Sequence, residues 1–133
     1  MRRKIAVLLV GAGLLASVPA FAHHSFAAEY DRAKPVTLTG SVTKVEWMNP
    51  HARFYVDVKD DSGKVTNWEF ELGSPNGLMR QGWTRNSLKE GDVVTVEGSL
   101  AKDGSNLANA RTVKLADGRK VFAGSAEETG RDK

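Results

Sequence analysis

From Val36 to Phe122 the chain alternates apolar and polar residues in short runs, each closed by glycine, asparagine, aspartate or proline. A period of two places successive side chains on opposite faces of an extended backbone, and it does not fit an amphipathic helix. The first run sets Val36, Leu38, Gly40 and Val42 on one face and Thr37, Thr39, Ser41 and Thr43 on the other. Near Lys44 the register slips and Val45 and Trp47 take over the apolar face, which predicts a bulge. Gly40 predicts a bend, and Asn49-Pro50 ends the strand.

Four more strands follow. Arg53–Lys59 turns Phe54, Val56 and Val58 inward, and a glycine-containing connection, Asp60–Gly63, leads into Val65–Leu72 with Trp68, Phe70 and Leu72 on one face. Ser74 then stands as a helix N-cap before Pro75, a pairing that starts a short helix, with Gly82 as its stop. Thr84–Lys89 could add a further helical turn. The fourth strand, Val93–Leu100, sets Val94, Val96, Gly98 and Leu100 against Thr95, Glu97 and Ser99. The fifth is Leu107–Leu115, and Asp117-Gly118 supports a last hairpin into Lys120–Phe122. This order predicts an all-β protein, a five-stranded OB-like Greek-key barrel with a short helix between strands 3 and 4. Barrel closure would explain the interior glycines Gly40 and Gly98; an open β-sandwich is permitted by the same periodicity.

The ends read differently. Residues 1–22 combine a basic start (Arg2, Arg3, Lys4), an apolar stretch and Ala20-Phe21-Ala22, the three parts of a secretory signal peptide. The apolar run is short for a membrane span. The domain is therefore expected over 23–124, in the periplasm or secreted, with no membrane span after processing and with 125–133 as a disordered tail. The formal charge is +3, but residues 1–22 hold three basic and no acidic residues, so processing leaves a formally neutral chain. That removes the basic footprint a nucleic-acid partner requires. With no cysteine, disulfides and thiolate sites are excluded.

The residues best suited to chemistry are the three histidines, His23, His24 and His51. Cleavage after Ala22 would make His23 the first residue, whose amine and imidazole Nδ1 can close a chelate on a metal ion. Nitrogen donors of this kind suit Cu(II) and, less selectively, Ni(II) or Zn(II). His24 adds a second imidazole, His51 could add a third if the N-terminus crosses the barrel mouth, and Met48 could offer a thioether to Cu(I). Cleavage after Ala20 would instead leave a histidine third from the amine, another copper-binding arrangement. Against this stands a plainer reading: His23 and His24 as a soluble start and His51 as an exposed turn residue after Asn49-Pro50.

Other chemistries find less support. Glu69 and Glu71 alternate with Trp68 and Phe70 and are expected outward, in solvent. The serines lack a nucleophile elbow, and Gly73–Gly77 is a helix entry rather than a phosphate loop. Tyr55 faces away from Phe54 and Val56 and could stack a ligand, whereas Trp47, Trp68 and Trp83 are expected to pack in the core.

His23-His24-Ser25-Phe26, Val45–His51, Phe70–Pro75, Gly82-Trp83 and Leu88–Asp92 together resemble a family of exported bacterial proteins known only as a domain of unknown function. The resemblance runs from His23 to about Gly124 and implies a small periplasmic β-barrel without handing over an activity. The reading that follows is a secreted binding domain holding or delivering copper through its processed N-terminal histidines. The alternatives are a metal-free module docking an unknown periplasmic protein or envelope polymer through the Trp47–His51 loop and Tyr55, and an oxidase using the same copper.

Overall fold

The computed structural model describes residues 26–124. The expected leader over residues 1–22 and the tail over 125–133 lie outside that range, as do His23 and His24. A helical turn at 26–29 leads directly into six strands: β1 (Tyr30–Glu46), β2 (Arg53–Lys59), β3 (Val65–Glu71), β4 (Val93–Ala101), β5 (Leu107–Lys114) and β6 (Lys120–Phe122). One helix, α1 (Pro75–Arg80), stands between β3 and β4.

Antiparallel pairing joins β3 to β2, β2 to β1, β1 to β4 and β4 to β5. A parallel pairing of β3 with β5, Glu69 to Leu107 through Glu71 to Asn109, then closes the ring. Five strands in the cyclic order 1-2-3-5-4 form the expected OB-like Greek-key barrel, and closure removes the open sandwich. The short β6 extends the sheet beyond β5 as a hairpin.

The alternation works as expected. Val42, Phe54, Val56, Phe70, Val94, Val96, Ala108, Ala110 and Val113 fill the interior, where the Phe54 and Phe70 rings stack with centroids 5.2 Å apart. The bulge falls between Val42 and Lys44, leaving Thr43 as the extra residue. A second bulge sits in β5: Glu97 pairs with Thr112 and Gly98 with Ala110, so Arg111 is skipped and the inward positions change phase from Ala108 and Ala110 to Val113. The two interior glycines are needed because neighbouring backbones come too close for a side chain. A Cβ on Gly40 would stand 2.1 Å from the Asp57 carbonyl oxygen, and one on Gly98 2.0 Å from that of Asn109.

The helix is built as its sequence suggests. Ser74 accepts the Gly77 N–H at 3.1 Å. Gly82, at φ +96°, ends the helix, with its N–H on Met79 and the Trp83 N–H on Leu78. This is a Schellman closure, and it needs the left-handed conformation that glycine adopts freely. It delivers Trp83 into the core, 2% exposed, where Nε1 donates to the Phe122 carbonyl at 2.7 Å. Trp47 and Trp68 are only half-buried against the core.

Two expectations need correction. Thr84–Lys89 is not a helical turn but a hydrogen-bonded turn, its Ser87 N–H on the Thr84 carbonyl. The first strand begins at Tyr30 rather than Val36. The added segment, Asp31-Arg32-Ala33-Lys34, carries no apolar stripe; it lies at a register shift between Tyr30, opposite Ala101, and Pro35, opposite Ser99.

Candidate functional site

Outward-facing residues on a barrel ordinarily belong to solvent, yet one outward row is polar and largely covered. Following the registers around the wall, Glu46 on β1 faces Arg53 on β2, and Arg53 faces Glu71 on β3. Glu71 in turn faces Asn109 on β5, and Asn109 faces Ser99 on β4. Directly opposed residues share a face of the sheet, so these five form a continuous polar row across all five barrel strands. Glu71, Asn109 and Ser99 are buried, at 7%, 3% and 5% exposure.

The cover over that part of the wall is the chain's own beginning. Phe26 and Tyr30 pack with Ala101 and Leu107 into a small apolar cluster on the outside of the barrel, their rings 5.5 Å apart. The Lys102 N–H donates to the Glu29 carbonyl at 2.9 Å, and its Nζ donates to the Ala27 carbonyl. This strap carries the Tyr30 hydroxyl inward to donate to Glu71 Oε2 at 2.7 Å. Burial, and then the hydrogen bond and charge of Glu71, push the Tyr30 phenol well above its ordinary value. The hydroxyl therefore remains a proton donor to the carboxylate.

Arg53 ties the row to a second one. Its Nη1 donates to Glu69 Oε1 at 2.7 Å and its Nη2 to Glu71 Oε2 at 3.3 Å. Tyr55, directly opposite Glu69, donates to the same Oε1 at 3.3 Å, and the Lys44 ammonium stands 5.5 Å from its ring centroid. Lys44 also pairs with Glu46 at 2.9 Å. The hydrogen bond from Lys44, reinforced by Tyr55 and Arg53, holds the Glu46 carboxyl below its usual range. Partial desolvation, followed by the field of Glu71, raises the Glu29 carboxyl at the base of the strap; Asp103 and Glu69 act the same way and Arg53 opposes them.

His51 borders this group. Its Nδ1 lies 3.1 Å from the Leu72 carbonyl and 3.8 Å from Glu71 Oε1, with the side chain 30% exposed. A carbonyl only accepts, so Nδ1 donates that hydrogen bond, and in the neutral tautomer the ring's lone pair is on Nε2. Backbone orientation of one ring nitrogen is how proteins commonly present the other to a metal. His51 is thus not the freely exposed turn residue of the plainer reading. Met48, in the same loop, is 46% exposed. Among the described residues no three of histidine, aspartate and glutamate stand close enough to hold a metal ion.

Glu71 corrects the expectation of solvated carboxylates: Glu69 keeps substantial exposure, but Glu71 is covered. The strap that covers it lies 41 residues away in sequence, which no local period can report. An open polar cleft of about 370 Å³ lies elsewhere, between the turn after α1 and the β5–β6 hairpin. Its polar groups largely serve one another, Ser87 with Thr84, Asp92 with Lys89 and Asp117 with Arg119.

Residues 12–110 match a family of unknown function, DUF6152. The protein belongs to that family. No curated protein matches the chain. Among solved structures, the mitochondrial single-stranded DNA binding protein Rim1 of S. cerevisiae is similar at a TM-score of 0.48 and 10% identity, over 62% of this chain and 92% of that one. The ZRD-deleted mutant of TiaS in complex with agmatine is similar at a TM-score of 0.45 and 24% identity, over 64% of this chain but 22% of that one. The complex of TiaS with a tRNA, AMPCPP and agmatine gives the same score and identity over 61% and 18%. Among the described residues no helix is long and apolar enough to cross a membrane.

Proposed function

We propose that this protein is an exported binding domain that holds or delivers copper through the processed N-terminal residues His23 and His24 together with His51. The observation that carries the reading is the placement of His51 beside the anchorage of the chain's beginning. Its Nδ1 is engaged by Leu72, which leaves Nε2 as the nitrogen a metal would meet, and Glu71, 3.8 Å away, is the residue that Tyr30 grips. Phe26 lies only three residues beyond His23 and is packed on Tyr30. Three residues span at most about 10 Å, so chain length alone keeps His23 within about that distance of Phe26. Nearby, Glu29, Glu69 and Glu71 stand against Arg53 and Arg32, a surplus of one negative charge that favours a cation there. The metal-free docking reading is the weaker one, because Tyr55 is occupied by Glu69 and Lys44 rather than free to stack.

Competition titration of Cu(II) tests the proposal on chains beginning at His23. Acetylating the His23 amine removes the amine–imidazole chelate without creating another, and is expected to weaken binding at least about tenfold, roughly 1.4 kcal/mol. His51→Ala is expected to weaken it as well. Affinities unchanged by both alterations would end the proposal.

A further inference from the structure

The strap is built as a unit apart from the barrel. Phe26 and Tyr30 cluster with Ala101 and Leu107 on the outer wall, separate from the interior core. Between Tyr30, opposite Ala101, and Pro35, opposite Ser99, five steps along β1 answer to two along β4. Three residues are therefore surplus to the pairing, about 10 Å of chain at full extension. They fall within Asp31–Lys34, where Arg32, Ala33 and Lys34 are exposed and the Ala33 N–H turns back onto Asp31 Oδ1 at 2.9 Å. A connection with that much slack lets the strap leave the wall while Pro35–Ser41 stays paired with β4.

Few contacts hold the strap closed. Tyr30 donates to Glu71, the Lys102 N–H donates to the Glu29 carbonyl and the Lys102 ammonium donates to the Ala27 carbonyl. Arg32, in the connection itself, stands 4.9 Å from the Phe26 ring centroid and so moves with the strap. Each residue that closure orders loses backbone entropy comparable to what one hydrogen bond returns, so two packed rings and three hydrogen bonds leave a small margin. Closure also carries costs. Partial desolvation and the charge of Glu71 raise the Glu29 carboxyl, against the pull of Arg53. In the same covered row Asn109, opposite Glu71, keeps a buried Oδ1 with no partner among the described residues.

We propose that Phe26–Tyr30 is a latch, which releases from the wall as one unit about Asp31–Lys34 while the barrel stays folded, and so controls access to Glu71. This goes beyond the copper reading and needs no metal. With the latch closed, Tyr30 and Glu71 are 2% and 7% exposed. Opening it sets the Glu71 carboxylate, the Arg53 guanidinium and the apolar ground of Ala101 and Leu107 side by side in solvent.

Native-state hydrogen exchange in chelator-treated buffer, followed by NMR through a urea series below the unfolding transition, tests the latch. The Lys102 amide reports the strap, because its hydrogen bond goes to Glu29; the Glu69 amide, bonded to Asn106, reports barrel closure. Lys102 is expected to be at least about a hundredfold less protected than Glu69 and to respond weakly to urea, as an opening that exposes little surface does. Tyr30→Phe is expected to speed Lys102 exchange at least about tenfold, since it removes the fastening bond. Equal protection and equal urea slopes at the two amides would overturn the proposal, because the strap would then open only with the whole fold. Lys102 exchange unmoved by Tyr30→Phe would overturn it as well, since the turn after β4 would be opening without the strap.

Discussion

Removing the Tyr30 hydroxyl while keeping its ring isolates the contact that fastens the strap to the barrel. Tyr30→Phe leaves the packing against Phe26, Ala101 and Leu107 in place and deletes only the 2.7 Å hydrogen bond to Glu71. Hydrogen bonds to charged groups contribute about 1.5–3 kcal/mol, more than neutral ones. Glu71 keeps one donor in Arg53 at 3.3 Å after the change, so the lower part of that range applies, about 2 kcal/mol. For a domain near 100 residues this lowers the melting temperature by roughly 10 °C. Tyr55→Phe is the matched control. Its bond to Glu69 is longer, at 3.3 Å, and lies at a half-exposed position, so a loss below about 0.5 kcal/mol is expected. Urea unfolding followed by tryptophan fluorescence measures both. A Tyr30→Phe loss no larger than that of Tyr55→Phe would refute the view that the strap is fastened at Glu71.

Gly40→Ala is expected to cost about 3 kcal/mol or to prevent folding, because the new methyl group meets the Asp57 carbonyl oxygen rather than a movable side chain; thermal unfolding checks it, and Ala at Gly77, whose nearest neighbour is the Ser74 hydroxyl, serves as comparison. Lys120 and Thr112 hold the Glu97 carboxyl below its ordinary value of 4.5. Its contribution is thus present in full above that value and lost as the pH falls through the lowered one. The stability gap between wild type and Glu97→Gln is expected to be open at pH 7 and to close on acidification, and a gap independent of pH would contradict the assignment.

The barrel is legible in the sequence because its determinants are local and repetitive. Each strand announces its inward face by alternation, Gly40 and Gly98 mark close backbone approaches, and Ser74-Pro75 with Gly82 brackets α1. What escapes a reading of the sequence depends on contacts between distant segments. Residues 31–34 carry no apolar stripe and lie in β1 at a register shift, between Tyr30 opposite Ala101 and Pro35 opposite Ser99. The Arg111 bulge shows only as a change of phase, from Ala108 and Ala110 inward to Val113 inward, which two small alanines make faint. Glu71 follows the outward alternation faithfully and is still buried, because the strap folds back over it from 41 residues away. His51 stands out by residue type alone; its orientation by the Leu72 carbonyl emerges only when β3 ends beside the loop that carries it. Asn109 gives no signal, since an asparagine in a strand is noticed only when its partners are counted.

The central claim is that the processed N-terminus and His51 meet on one side of the barrel and take copper together. Paramagnetic broadening in the NMR spectrum of the chain beginning at His23, titrated with substoichiometric Cu(II), measures this directly. The account predicts loss of signal from the His51 ring and from Tyr30, Glu71 and Leu72 together with residues 23–26. Broadening confined to the first few residues, with His51 and Glu71 untouched, would contradict it.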